Sequence, residues 1–184
     1  MPSPRLIALR CPIALLLFLL TASVGITVDQ VTKVLAFEHL SNGVVWDAVG
    51  PHALRKHNRD VISGWLQLEV MANPGAVFGL GPGKRILFIG VSIAAIFFIF
   101  YLFAVSGRQR LYQFILGMLL AGVIGNLYDR IVFRYVRDMI HMKTPHWDPF
   151  PYIYNVADSL LCIGVGLMVI HSFFTASAKE PTPE

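Results

Sequence analysis

Long blocks of Leu, Ile, Val, Phe and Ala alternate with short polar segments along this 184-residue chain. A helix needs about 20 apolar residues to cross the hydrocarbon core. Four blocks reach or approach that length. Residues 11–28 are 18 positions without a charge, 86–106 are 21, 111–128 are 18, and 159–178 are 20, with the last helix expected to begin near Asn155. Backbone amides find no water in lipid, so each block is predicted to be helical. The pattern predicts an all-α membrane protein of four transmembrane helices, forming one domain over 1–184. The spans are about 11–28, 86–106, 111–128 and 155–175, and the two larger intervening regions are 29–85 and 129–154.

The first intervening region has its own pattern. Val61 to Val70 (VISGWLQLEV) is apolar and β-capable, punctuated by Gly64, and predicts a small sheet at the membrane surface. Asn73-Pro74-Gly75 predicts a tight turn. Residues 76–80 (AVFGL) are expected to form a short surface helix, ended by Gly81-Pro82-Gly83. Ser41 to Asp60 is polar, with two glycines and a proline, and reads as a flexible insertion. The tail from Lys179 reads as disordered, and there is no internal repeat. Arg5 and Arg10 before an apolar run, with Thr21, Ala22 and Ser23 after it, also resemble a cleavable signal peptide. The uncharged run is long for one, so a retained helix is expected.

Composition agrees with the pattern: 55% of residues are hydrophobic and only 14% charged, where soluble domains carry about 25%. The net charge of +4 sits in short segments between apolar blocks, which points to anionic lipid headgroups rather than nucleic acid. Four passes put both termini on one face. Arg5, Arg10, Arg108 and Arg110 mark that face as the inner one. The long outer regions hold ten of the fifteen Lys and Arg and eight of the eleven acidic residues. The dense basic character of the small 107–110 connector weighs most. Cys11 and Cys162 fall toward opposite faces, which disfavours a disulfide, and no Cys/His pattern has metal-ligand spacing.

Under this topology Asp29, Asp129, Asp138 and Asp158 gather at the outer boundary, with Asn73, Asn126 and Asn155. A carboxylate at that depth is costly to ionise without partners. Each also has an ordinary explanation. Asn155 and Asp158 have N-cap and N3 spacing, Asp29 and Lys33 have i,i+4 spacing, Asp129 adjoins Arg130, and Asp138 fits a solvated loop. Together they allow another chemistry: two close carboxylates share one proton, so one activates water while the other polarises a carbonyl. No GxSxG elbow and no cysteine near a histidine offers a covalent nucleophile. A transporter would need polar residues at mid-bilayer, which are scarce here. A non-enzymatic assembly factor would use the aspartates only as caps. Spacing alone leaves four aspartates for two roles.

Five segments then resemble the lipoprotein signal peptidase family, or signal peptidase II. Asp29-Gln30-Val31-Thr32-Lys33 is similar to its D-Q-x-T-K motif, and Asn73-Pro74-Gly75-Ala76-Val77-Phe78-Gly79 to N-x-G-A-A-F-G. Gly125-Asn126-Leu127-Tyr128-Asp129-Arg130 resembles G-N-x-x-D-R, Val136-Arg137-Asp138 resembles V-x-D, and Asn155-Val156-Ala157-Asp158-Ser159 resembles N-x-A-D-S. Order and spacing agree over about residues 11 to 175. The resemblance implies an aspartic endopeptidase with Asp138 and Asp158 as the catalytic pair. It implies that Asp29, Lys33, Asn73, Gly75, Asn126, Arg130 and Asn155 bind substrate or brace the site, and that Asp129 is structural. It further implies a diacylglyceryl-modified bacterial prolipoprotein as substrate, cut before the lipidated cysteine. The setting would be the cytoplasmic membrane, with the site at its outer face. The expected partners are that substrate and membrane lipids, with a monomeric enzyme and no metal or organic cofactor. Two features depart from the family: Val77 replaces a small residue, and the 41–60 segment is longer than usual.

Overall fold

The computed structural model describes residues 8–40, 56–75, 84–142 and 152–177. Four long helices make a membrane-spanning bundle: α1 (Pro12–Leu40), α2 (Arg85–Val105), α3 (Arg110–Val132) and α4 (Val156–Ser177). A four-stranded antiparallel sheet stands at one end: β1 (Lys56–Ile62), β2 (Leu66–Asn73), β3 (Val136–Met142) and β4 (Ile153–Tyr154), in that spatial order. The expected surface helix at 76–80 lies outside the described residues, as do the tail from Lys179 and residues 41–55 of the insertion.

α3 is the central helix. Its other three partners leave large apolar side chains exposed where lipid belongs, for example Leu20, Phe97 and Phe173. α3 buries most of its length because small residues let its neighbours approach closely. Gly117, Ala121 and Gly125 recur every four residues and face α1. A Cβ at Gly117 would stand 2.8 Å from the Phe18 carbonyl oxygen, and Ala121 already fills the space a Cβ on Gly25 would need. Gly122 faces α4, where a Cβ would meet the Ala157 carbonyl oxygen at 2.6 Å. Nearer the opposite end, Phe18 stacks on Phe103 with ring centroids 4.3 Å apart and meets Phe100 edge-on. There Gln113, fully buried, donates to Ser106 Oγ and the Gly107 carbonyl and closes the α2–α3 turn.

Three boundaries differ from the sequence expectation. α1 continues twelve residues past Val28, to Leu40, because its first charges pair along the helix: Lys33 Nζ lies 2.8 Å from Asp29 Oδ2. α3 likewise runs through Asp129 and Arg130 to Val132. Lys56 to Asp60, expected to belong to a flexible insertion, pair with β2 as the edge strand β1. The predicted sheet segment Val61–Val70 is a hairpin, turning at Ser63-Gly64 with Gly64 at φ 74° and the Trp65 amide donating to the Ile62 carbonyl. β3 and β4 form within the intervening region 129–154, where the hydrophobic pattern predicts no strand. Cys11 and Cys162 are both free thiols.

The sheet joins the bundle along α1. Met139 and Val70 pack on Ala36 and Phe37 of the helix extension. Since side chains alternate along a strand, Arg137 and Met139 look toward α1 while Asp138 looks the other way, toward Asn73 and Asn155. Gly122→Ala is expected to lower stability by about 1–3 kcal/mol, because the added methyl meets backbone that cannot yield. Thermal unfolding of the detergent-solubilised protein measures it, and an unchanged midpoint would mean that α3 and α4 can separate freely.

Candidate active site

The site is assembled from helix ends and one strand. Asn155 precedes α4 as its N-cap. Its Oδ1 accepts from the Asp158 amide at 2.9 Å, and Asp158 Oδ2 accepts from the Asn155 amide at 3.2 Å. This is the reciprocal capping arrangement that the spacing predicted. The same residue does more than cap. Asn155 Nδ2 donates to Asp138 Oδ1 at 2.6 Å and to Asn126 Oδ1 at 3.2 Å. Asn126 Nδ2 in turn donates to Asp158 Oδ1 at 2.8 Å. Asp138 and Asp158 are therefore held by one pair of asparagines. Asn73 completes the cradle: its Nδ2 donates to Asp138 Oδ2 at 2.9 Å while its Oδ1 accepts from the Gly75 amide. That Asn73–Gly75 bond forms the predicted turn. Arg130 donates to the Gly75 and Asn126 carbonyls and lies over the Phe88 ring, so it ties α3 to the turn and to α2.

Below this layer lies a buried charge cluster. Lys33 Nζ is fully buried and has three acceptors: Asp29 Oδ2 at 2.8 Å, Asn126 Oδ1 at 3.2 Å and Asp129 Oδ2 at 3.2 Å. Three donors meet three acceptors, so the ammonium is satisfied. Asp29 Oδ1 accepts from the Ala157 amide at 2.8 Å, so an α1 carboxylate caps the first turn of α4. Gly125 leaves the necessary room, since a Cβ there would stand 2.5 Å from Asp29 Oδ2. Asp129 is bound from its other side by Arg137, with Nη2 to Oδ1 at 2.8 Å and the Arg137 amide to Oδ2 at 2.9 Å.

The nine residues that the resemblance assigns to the reaction or to the bracing of the site, and Asp129 with them, meet in this one region. The ordinary explanation of Asp138 as a solvated loop residue fails, because it is a strand residue 1% exposed. Asp129 pairs not with its neighbour Arg130 but with Lys33 and Arg137. Two residues escaped the sequence reading. Gln30 bridges Asp29, Asp129 and Arg137, and it was visible as the second letter of the Asp-Gln motif. Arg137 follows from no local pattern, because the partners that make β3 a strand are distant in the chain. Alternation about Asp138 would have put its neighbour on the bundle side.

Burial pushes the Asp138 carboxyl well above the usual carboxylate range, and the nearby Asp158 charge adds to it. Hydrogen bonds from Asn73 and Asn155, and the Lys33 charge, offset only part of the rise. Burial and the Asp158 charge both favour the protonated form of Asp138. A buried carboxyl that favours its protonated form beside a second carboxyl is the arrangement that acid–base hydrolysis by an aspartate pair requires. Among the described residues no group of His, Cys, Asp and Glu has the geometry to hold a metal ion.

Known proteins share this arrangement of sequence and fold. The chain is 35% identical to the lipoprotein signal peptidase of Clostridium tetani over 147 residues, covering 79% of this chain and 85% of that one. It is 32% identical to the lipoprotein signal peptidase of Bacillus velezensis over 166 residues, covering 90% and 99%. A solved bacterial membrane enzyme superposes with a TM-score of 0.75 at 27% identity, covering 91% of this chain and 93% of the other. A second such enzyme gives 0.67 at 29% identity. The model of the signal peptidase II family matches residues 21–174, a stretch that runs from the middle of α1 almost to the end of α4 and takes in every residue of the site. The chain belongs to the signal peptidase II family of aspartic-type peptidases.

Proposed function

We propose that Asp138 and Asp158 are the catalytic pair with which this chain removes signal peptides from diacylglyceryl-modified prolipoproteins, cutting before the lipidated cysteine. The observation that carries the reading is the shared asparagine cradle. Asn155 bonds Asp138 through its side chain and Asp158 through its backbone amide. In this reading Asp138 carries the proton and polarises the scissile carbonyl, and Asp158 takes a proton from the attacking water. Asn73, Asn126 and Asn155 fix the two carboxyls. Asp29 and Lys33 brace the floor, and Arg130 with Gly75 shapes the entry turn. The whole chain acts as one peptidase unit and as a monomer.

The proposed setting is the bacterial cytoplasmic membrane, with both termini inside and the site at the outer face. Support comes from basic Arg10, Arg108 and Arg110 at the end of the bundle opposite the site. Membrane lipids are the second partner. Along α1, apolar residues from Ile13 through Leu16, Leu20, Val24, Val28 and Val31 stay exposed on the surface. They give lipid a continuous contact, and the substrate's acyl chains and signal helix can lie in the same medium. Exposed Trp65, Ile62 and Val61 at the hairpin tip suit the headgroup zone.

Asp138→Asn and Asp158→Asn should each abolish cleavage of a lipidated precursor, by a factor on the order of 10³ or more, while the protein still inserts. Retained processing by both variants refutes the pair. Turnover should follow a bell-shaped pH profile. At low pH both carboxyls are protonated and no base remains; at high pH the raised Asp138 proton leaves and no acid remains. A rate that keeps rising with pH excludes the shared proton. For the orientation, a Ser63→Cys substitution in a Cys11→Ala/Cys162→Ala chain should react with a membrane-impermeant maleimide from the outer side of sealed membranes. Reaction only after the membrane is opened reverses the topology.

A further inference from the structure

Arg137 stands next to Asp138 in the chain but on the opposite side of β3. It is buried, and its guanidinium joins three elements. Nη2 donates to Asp129 Oδ1 on α3 at 2.8 Å and to Gln30 Oε1 on α1 at 2.7 Å, while Nε reaches both Asp129 oxygens at 3.3 Å. The guanidinium carbon lies 4.2 Å from the Phe133 ring centroid. Its own backbone amide donates to Asp129 Oδ2 at 2.9 Å. The residue therefore pins the strand one position before Asp138.

The charge count gives it a second consequence. Asp29, Asp129, Lys33 and Arg137 form a buried group whose two negative and two positive charges cancel. Lys33 alone would have to serve both aspartates. Among the described residues, the other charged groups around the cluster are Arg130 on α3, Asp138 on β3 and Asp158 on α4. Further along the sheet, Glu69 on β2 pairs with His141 on β3. Lys33 and Arg130 are the cations whose charges reach the aspartate pair, and Lys33 is the one bonded into the buried group.

We propose that Arg137 is a positioning residue for the aspartate pair: by neutralising Asp129 it anchors the strand that presents Asp138 and leaves the Lys33 charge to act on the pair. The inference rests on Asp138 and Asp158 being the reacting groups. Without Arg137 the buried group carries an excess negative charge beside two carboxyls, which favours their protonated forms. The pH profile of turnover then moves upward. A role in stability alone would lower the amount of folded enzyme and leave the profile where it was.

The test uses the full chain in lipid nanodiscs with a lipidated precursor, scored as kcat and KM across pH. Arg137→Gln should move the whole bell upward by about one pH unit and lower kcat on the acidic side about tenfold, with KM little changed. The double variant Arg137→Gln/Asp129→Asn removes one charge of each sign and should bring the bell back toward its original position, even though it is less stable. Arg137→Lys keeps the charge but not the forked contact; it should hold the bell in place while kcat falls. Should Arg137→Gln fail to fold, the double variant and Arg137→Lys still decide, because a bell displaced upward in both refutes the charge argument. An unmoved bell in Arg137→Gln overturns the inference while leaving the aspartate pair intact. Activity in Asp138→Asn would instead overturn the pair itself.

Discussion

One buried ammonium group organises the end of this bundle that carries the sheet. Lys33 has no contact with water, and an unpaired charge there would cost several kcal/mol. It therefore has to find three oxygen acceptors, and it finds them on two helices: Asp29 on α1, and Asn126 and Asp129 on α3. Satisfying it fixes the height and rotation of α1 against α3. The same acceptors are committed elsewhere, so the constraint spreads. Asp29 caps α4, Asp129 holds β3, and Asn126 holds Asp158. Four elements are thereby placed relative to one cation.

Helices in lipid gain little from apolar contact with one another, because the surrounding tails are as apolar as they are. Close approach has to come from small residues and polar bonds, and both are present in α3. Gly117, Ala121 and Gly125 admit α1, and Gly122 admits α4. At Gly125 the two devices meet, since the missing side chain is the space that the Asp29 carboxylate occupies. The polar cluster can be dense because backbone spacing there is short.

The sheet supplies what a helical bundle lacks, a carboxyl that approaches from outside the helix ends. Asp158 arrives on α4 with its own cap. Asp138 arrives on β3, whose alternation sends Arg137 into the charge cluster and Asp138 toward Asn73 and Asn155. The two aspartates come from elements with separate supports, and Asn155 links them. Any displacement of β3 along α1 would separate the carboxyls, which is why the strand is pinned by a guanidinium, a backbone amide and the packing of Met139 on Phe37.

The sequence by itself determined the four helices, the hairpin near Gly64, the Asn155–Asp158 cap and the Asp29–Lys33 pair. These are local features: apolar runs of spanning length, a turn residue, and contacts three or four positions apart. Its motifs also singled out residues that the fold brings together at one end of the bundle. It did not disclose that α1 continues to Leu40, since charges that end an apolar run look like a helix end until a buried partner is known. It hid β3 and β4, a strand of seven residues and one of two, whose pairing partners are distant in the chain. Above all it could not say which carboxylate each cation serves. Asp129 beside Arg130 reads as a pair on paper, yet its partners are Lys33, 96 residues earlier in the chain, and Arg137 across a turn. Buried charges choose partners by distance in space and by the water they exclude, and only the packed structure sets both.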